Sequence, residues 1–190
     1  MRMLSRNCSL ILAAALFIPM THAQPAPKPD ATPKPADSPS KVLLDSWNEI
    51  GRKLIAMAED FPEDKYDFKP NPTQRSFAEQ LLHAAGANYY FIGPAKAMKP
   101  PSGDTKRADY ATKAAVVGYV KKSFAEGAAL IKSKGEVGMS DLYVEPFANQ
   151  QVRFYDGAWS IIEHSGEHYG QLVVYYRVAG LVPPESRPKK

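Results

Sequence analysis

From about residue 41 onward the apolar residues recur at helical spacing in four runs of roughly twenty residues, each bounded by a capping side chain or a helix breaker. Such a run has one apolar stripe to bury, and four of them can cover one another's stripes in a bundle. The first carries Val42, Leu43, Trp47, Ile50, Leu54, Met57 and Ala58, with Ser40 as the expected N-cap and Pro62 just beyond. A polar stretch follows, and Ser76-Phe77-Ala78-Glu79 then reads as a capping box opening a second helix through Leu81, Leu82, His83, Ala87, Tyr90 and Phe91. Gly93-Pro94 and Pro100-Pro101 close it. The third run, residues 112–133, buries Val116, Val117, Val120, Phe124, Ala128 and Ile131 and stops at Gly135. Residues 136–153 show no sustained alternation and are expected to form a loop with room for a short strand or turn. The fourth run, 156–179, ends at Gly180, and Pro183-Pro184 prevents continuation. With no convincing strand pair, the expected fold is all-α: a four-helix bundle domain over residues 41–190.

The segment before it cannot join that core. Residues 24–40 hold six of the seventeen prolines and no large apolar side chain, a composition expected to form an extended, disordered linker. Residues 1–23 have the pattern of a signal peptide: Arg2 and Arg6, then the apolar run LILAAALFIPM, then Thr21-His22-Ala23 as a cleavage site near Ala23. That run falls well short of the roughly 20 residues a bilayer span needs, so no stable membrane span is expected after cleavage, and the protein is expected to be secreted or periplasmic. Cys8, the only cysteine, would leave with the signal. The mature chain would then have no disulfide, no thiol nucleophile and no cysteine-ligated metal. The formal charge of +4 falls by two when Arg2 and Arg6 leave, and no cluster of basic and aromatic residues points to nucleic acid.

Histidine is scarce enough to follow individually. His22 goes with the signal, leaving His83, His164 and His168. His168 lies about 40° around the helix from His164 and one turn along, so both rings project from one face. That face also carries Ile161, Leu172, Tyr175 and Ala179, the composition of an inward stripe. His83 shares its face with Ala87 and Tyr90, also inward in composition, and a third imidazole from a facing helix would complete a three-ligand metal site with room for water or substrate. A histidine on an apolar stripe is also an ordinary hydrogen-bonded core residue, so spacing alone leaves both readings open. The stretch EHSGEH contains the HxxEH pattern of inverted zinc proteases, which would make Glu167 the catalytic base. Only twenty-two residues follow His168, and the sole acid among them is Glu185, beyond the helix stop, which counts against a protease. Glu167 itself lies about 100° from His168 and about 60° from His164, where an interhelical or solvated role competes with catalysis. Asn88, Tyr90 and Tyr169 are further candidates to line a pocket.

A longer pattern joins these positions. RSFAEQLLHAAGANYYF from Arg75 and EHSGEHYGQLVVYYRVAGLVPPES from Glu163, with DFKP at Asp67 before the second helix, resemble the DinB-like family of metal-binding four-helix bundles. The resemblance implies that His83 from the second helix and the His164–His168 pair from the last form a metal triad. It also implies a divalent ion, zinc, nickel, copper or iron, and either hydrolysis or thiol-dependent transfer on a small-molecule substrate. Export argues against thiol transfer, because reduced thiol cofactors are scarce outside the cytoplasm. The alternatives are a non-catalytic metal- or ligand-binding bundle, and a helical interaction protein forming a homodimer through exposed helix faces.

Overall fold

The computed structural model describes residues 37–188, so the expected signal peptide and nearly all of the expected linker lie outside the described residues. Helix α1 (Pro39–Asp60) starts three residues before the apolar run suggests. Ser38 rather than Ser40 caps it, accepting from the Lys41 amide at 3.4 Å, and Pro39 occupies the first turn, where its missing N–H costs nothing. Helix α2 (Phe77–Ala95) opens with the expected capping box: the Glu79 amide donates to Ser76 Oγ at 3.3 Å, and the Ser76 amide donates to Glu79 Oε2 at 2.6 Å. The preceding loop adds two more acceptors, the carbonyls of Phe68 and Tyr66, for the Phe77 and Ala78 amides. Thr112 caps α3 (Lys113–Lys134), and Gly135 ends it at a φ of 56° that favours glycine. Helix α4 (Phe154–Val178) leads to Gly180 at φ 77°.

The segment between α3 and α4 departs from the expected loop. Strands β1 (Leu142–Val144) and β2 (Gln151–Arg153) form an antiparallel hairpin in which Tyr143 faces Val152. Three residues per strand are too few to show alternation, and the turn has no Gly, its positive φ of 53° being supplied by Asn149. α4 then starts directly from β2, at Phe154 rather than near Asp156.

The helices pack as a ring, α1 on α3, α3 on α2, α2 on α4 and α4 on α1, so the long connections α1–α2 and α3–α4 cross the bundle diagonally. At the centre, buried Trp47 lies between Phe91 and Phe124, with centroids 5.8 and 5.7 Å away, and donates its indole N–H to the Phe124 carbonyl at 2.9 Å. At one end Phe61 stacks on Phe77 at 3.7 Å, and the Tyr176 hydroxyl donates to the Met57 carbonyl at 2.9 Å. Among the described residues no helix is long and apolar enough to cross a membrane.

Gly127 on α3 makes the Trp47 packing possible, because a Cβ there would lie 1.9 Å from the indole ring. Gly127→Ala gains about 1 kcal/mol of helix propensity, but overpacking costs about 1–3 kcal/mol. The expected net result is a melting temperature lower by several degrees, about 2–4 °C per kcal/mol for a domain of this size. Thermal melting followed by circular dichroism checks this, and an unchanged or raised midpoint would mean that the indole has room to yield.

Candidate metal centre

Helices α2 and α4 run antiparallel, as three rungs show: Phe77 against Tyr175, Gln80 against Gln171, and His83 against His164 and His168. The capping box fixes where α2 begins and so which turn carries His83 opposite the α4 pair. The three ring centroids are 4.3 Å apart for His164–His168, 4.8 Å for His83–His168 and 5.5 Å for His83–His164. One ring nitrogen from each lies within 4.8 Å of the others, and the two α4 Nε2 atoms are 3.0 Å apart. His168 is buried, while His83 and His164 are half-buried, so the group sits at the edge of the core with one side toward the surface.

The far sides of two rings are held. His83 Nδ1 is 3.0 Å from Asp104 Oδ1, so its N–H donates to the carboxylate and Nε2 keeps a lone pair. Arg75 in turn donates to Asp104 Oδ2 at 3.1 Å, and the Arg75 carbonyl accepts from the Tyr175 hydroxyl at 2.7 Å. His168 Nδ1 lies between two side-chain amides, 2.5 Å from that of Gln80 and 2.9 Å from Gln171 Oε1, and the two glutamines are themselves hydrogen-bonded. Either amide can present its carbonyl oxygen to Nδ1, which leaves Nε2 of this ring unprotonated as well. His164 differs: its Nδ1 is buried with no hydrogen-bond partner, so nothing in the protein fixes its tautomer.

Charge on the group is disfavoured. Burial, then the neighbouring His168, His83 and Arg75, lower His164 to about 4. Burial lowers His168 as well, against the opposing effect of the hydrogen bond that its Nδ1–H donates to Gln171 Oε1. Asp104 stays below the usual carboxylate range: burial works to raise it, but the hydrogen bonds from His83 and Arg75 outweigh that effect. Three imidazole nitrogens drawn to one point, with charge disfavoured on the α4 pair, are a donor set that suits a divalent ion. Tetrahedral zinc with bonds of 2.0–2.1 Å wants nitrogens about 3.3 Å apart, a spacing that the α4 pair already approaches. The residues therefore fit a metal ion.

Of the residues singled out from sequence, His83, His164 and His168 come together, and Glu167 does not join them. It is exposed, at the flank of the cluster, where its charge is felt by His168 without its side chain belonging to the group. Asn88 is buried and donates to Ser123 Oγ on α3 at 3.0 Å, and the Tyr169 ring lies under Lys53 of α1 at 5.8 Å, so neither is committed to the histidine group. Gln80 and Gln171 were discoverable, since each lies three residues from a histidine on the same helix face. Asp104 had no such signal, because it lies in the aperiodic connection between α2 and α3. Replacing it tests its part: in Asp104→Asn an amide takes the place of the charged acceptor, and metal affinity is expected to fall about 10–100-fold. Competition with a chromogenic chelator reads that loss. An unchanged affinity would reduce Asp104 to a surface acid.

No curated protein is significantly similar to the chain in sequence. Among solved structures, a DinB-like protein from Bacillus cereus superposes with a TM-score of 0.63 at 18% identity, over 76% of this chain and 95% of that one. A DinB-like protein from Bacillus subtilis gives 0.61 at 18% identity, over 78% and 99%. YfiT from Bacillus subtilis, reported as a probable metal-dependent hydrolase with an unusual four-helix bundle topology, gives 0.60 at 14% identity, over 80% and 95%. These likenesses establish the four-helix bundle fold. The sequence profile of the DinB superfamily matches residues 47–172, more than half of the chain, and the chain therefore belongs to the DinB superfamily.

Proposed function

We propose that His83, His164 and His168 hold a divalent metal ion and that the domain is a metal-dependent enzyme of hydrolase type acting on a small molecule. The observation that carries this reading is the convergence of three imidazoles from two helices, two of them already oriented by Asp104 and by the Gln80–Gln171 pair. When bound, an ion of this kind supplies Lewis acidity and makes water reactive near neutral pH. The chain's own part is to keep the ring protons of His83 and His168 on their outer nitrogens, to disfavour charge on the α4 pair, and to leave one side of the cluster open. The likeness to YfiT supports hydrolysis. Thiol transfer is the weaker branch, because the signal-like residues 1–23 direct the protein to a compartment poor in reduced thiols.

One observation favours a non-catalytic metal-binding module instead. Glu167 is exposed, and among the described residues the carboxylate hydrogen-bonded to a ring of the cluster is that of Asp104, which is engaged with Arg75. Metal analysis of protein purified without a histidine tag tests the centre itself, with about one ion per chain expected. Cobalt substitution then separates the readings. A visible spectrum that small anions perturb indicates an open coordination position and supports catalysis, while a spectrum no small ligand moves supports the closed module.

A further inference from the structure

The groove between α2 and α4 does not end at the histidines. Beyond them, toward the C-terminal end of α2, it widens into a recess of about 310 Å³ roofed by the hairpin and walled by Tyr90, Phe91, Tyr143, Phe147 and Ile161. Phe147, at the hairpin turn, stacks on Tyr90 with centroids 5.4 Å apart although it is 73% exposed. Gly157 lets the hairpin sit this close, because a Cβ there would lie 1.8 Å from the Tyr143 hydroxyl oxygen. The recess and the cluster are neighbours along the same two helices. Ser160 and Ile161, which line it, stand four and three residues before His164 on α4, and Tyr90 stands seven residues after His83 on α2. At 1.5 Å per residue, the aromatic wall begins about 10 Å from the histidines.

The charges lining the recess are all of one sign. Among the described residues that line it, Glu145 and Asp156 are the only carboxylic acids, and Asp156 is paired with Arg153 at 2.7 Å, so Glu145 sets the sign of the recess. On the other side of the cluster a second recess contains His83 and Asp104 together with Lys69, Arg75, Lys106 and Arg107. An aromatic recess carrying Glu145 and a basic polar recess carrying His83 thus lie at different levels of the same helix pair.

We infer that the hairpin recess binds the apolar end of the substrate, a neutral or cationic aromatic group tethered about 10 Å from the atom presented to the histidines. Tyr90 and Phe147, stacked on one another, offer the ring one continuous apolar wall, and Glu145 disfavours an anionic one. This inference rests on the proposed metal centre. The test uses cobalt-loaded full-length protein and three hydroxamates: acetohydroxamate, phenylbutanohydroxamate, and a chain of similar length ending in a carboxylate. Dissociation constants are read from the cobalt spectrum. The phenyl compound is expected to bind at least about tenfold tighter than acetohydroxamate, and the carboxylate-ended one no tighter. Tyr90→Ala and Phe147→Ala should each erase most of the phenyl gain and leave acetohydroxamate binding unchanged. Phe147 is exposed enough that its loss will not unfold the domain. A phenyl gain that survives both substitutions, or no gain while acetohydroxamate still binds, overturns the recess assignment alone. If acetohydroxamate leaves the cobalt spectrum unmoved, the open metal centre fails, and the recess assignment fails with it.

Discussion

His168→Gln is expected to abolish stoichiometric metal binding. His168 is the buried member of the triad and the one whose Nε2 lies 3.0 Å from that of His164, so it contributes the least solvent-competed nitrogen. Removing one of three ligands from such a set should weaken affinity by at least about a hundredfold. Glutamine retains most of the side-chain volume and can still hydrogen-bond to Gln80 and Gln171, so the fold should persist. The second readout is thermal. An ion present at about a thousand times its dissociation constant stabilises the native state by about 4 kcal/mol, which corresponds to on the order of 10 °C in this size range. Wild-type protein should show that rise on adding zinc or cobalt, and His168→Gln should not. A variant that keeps both the stoichiometry and the thermal rise would mean that the ion, if bound, is held elsewhere. Glu167→Gln is the matched control. Its exposed carboxylate lies outside the cluster, so metal content and thermal rise should both survive.

What could be read from sequence, and what could not, follows from the range of the forces involved. Ser76 with Glu79, Gly135 and Gly180 are local devices whose chemistry acts within one helical turn, and they open or close their helices as expected, while Thr112 caps the third run at its expected start. The i,i+4 histidine pair is equally local, and its inward orientation follows from the apolar residues that share its stripe. The start of α1 was misjudged because two serines stood two residues apart, and Pro39 made the earlier one the better cap. The hairpin escaped because its strands are held by cross-strand pairing and by Tyr143 seating on Gly157, neither of which has a sequence period. Asp104 escaped for a similar reason. Its contact with His83 depends on the path taken by the connection between α2 and α3, which tertiary packing decides. Glu167 is adjacent to both histidines in sequence, yet its side chain is exposed and outside the histidine group, so its role is not legible from the spacing.

Acid should destabilise the metal-free protein in a defined window, and the α4 histidines give its direction. An unfolded chain protonates His164 near 6.5, whereas the fold holds it neutral down to about 4, chiefly through burial. Between those limits the unfolded state takes up a proton that the native state refuses, so the unfolding free energy falls as pH drops from 6.5 to 4 and levels off below. His168, lowered first by burial, acts in the same direction. A bound ion should postpone the loss, because protons reach these nitrogens only by displacing it. Once that competition begins, affinity falls about tenfold per pH unit for each proton taken up. The depressed values mean that release should come at more acidic pH than from an isolated peptide carrying the same histidine pair. Melting of the metal-free protein and cobalt absorbance of the loaded protein, both followed from pH 7 to 4, measure the two effects. Native carboxylates such as Asp60 and Asp104 also lose stabilising contacts on protonation, which makes His164→Gln the necessary comparison. Its melting temperature should decline less steeply than that of wild type between 6.5 and 4. Parallel curves for the two proteins would place the acid sensitivity in the carboxylates and leave the histidine pair without the electrostatic cost that its burial implies.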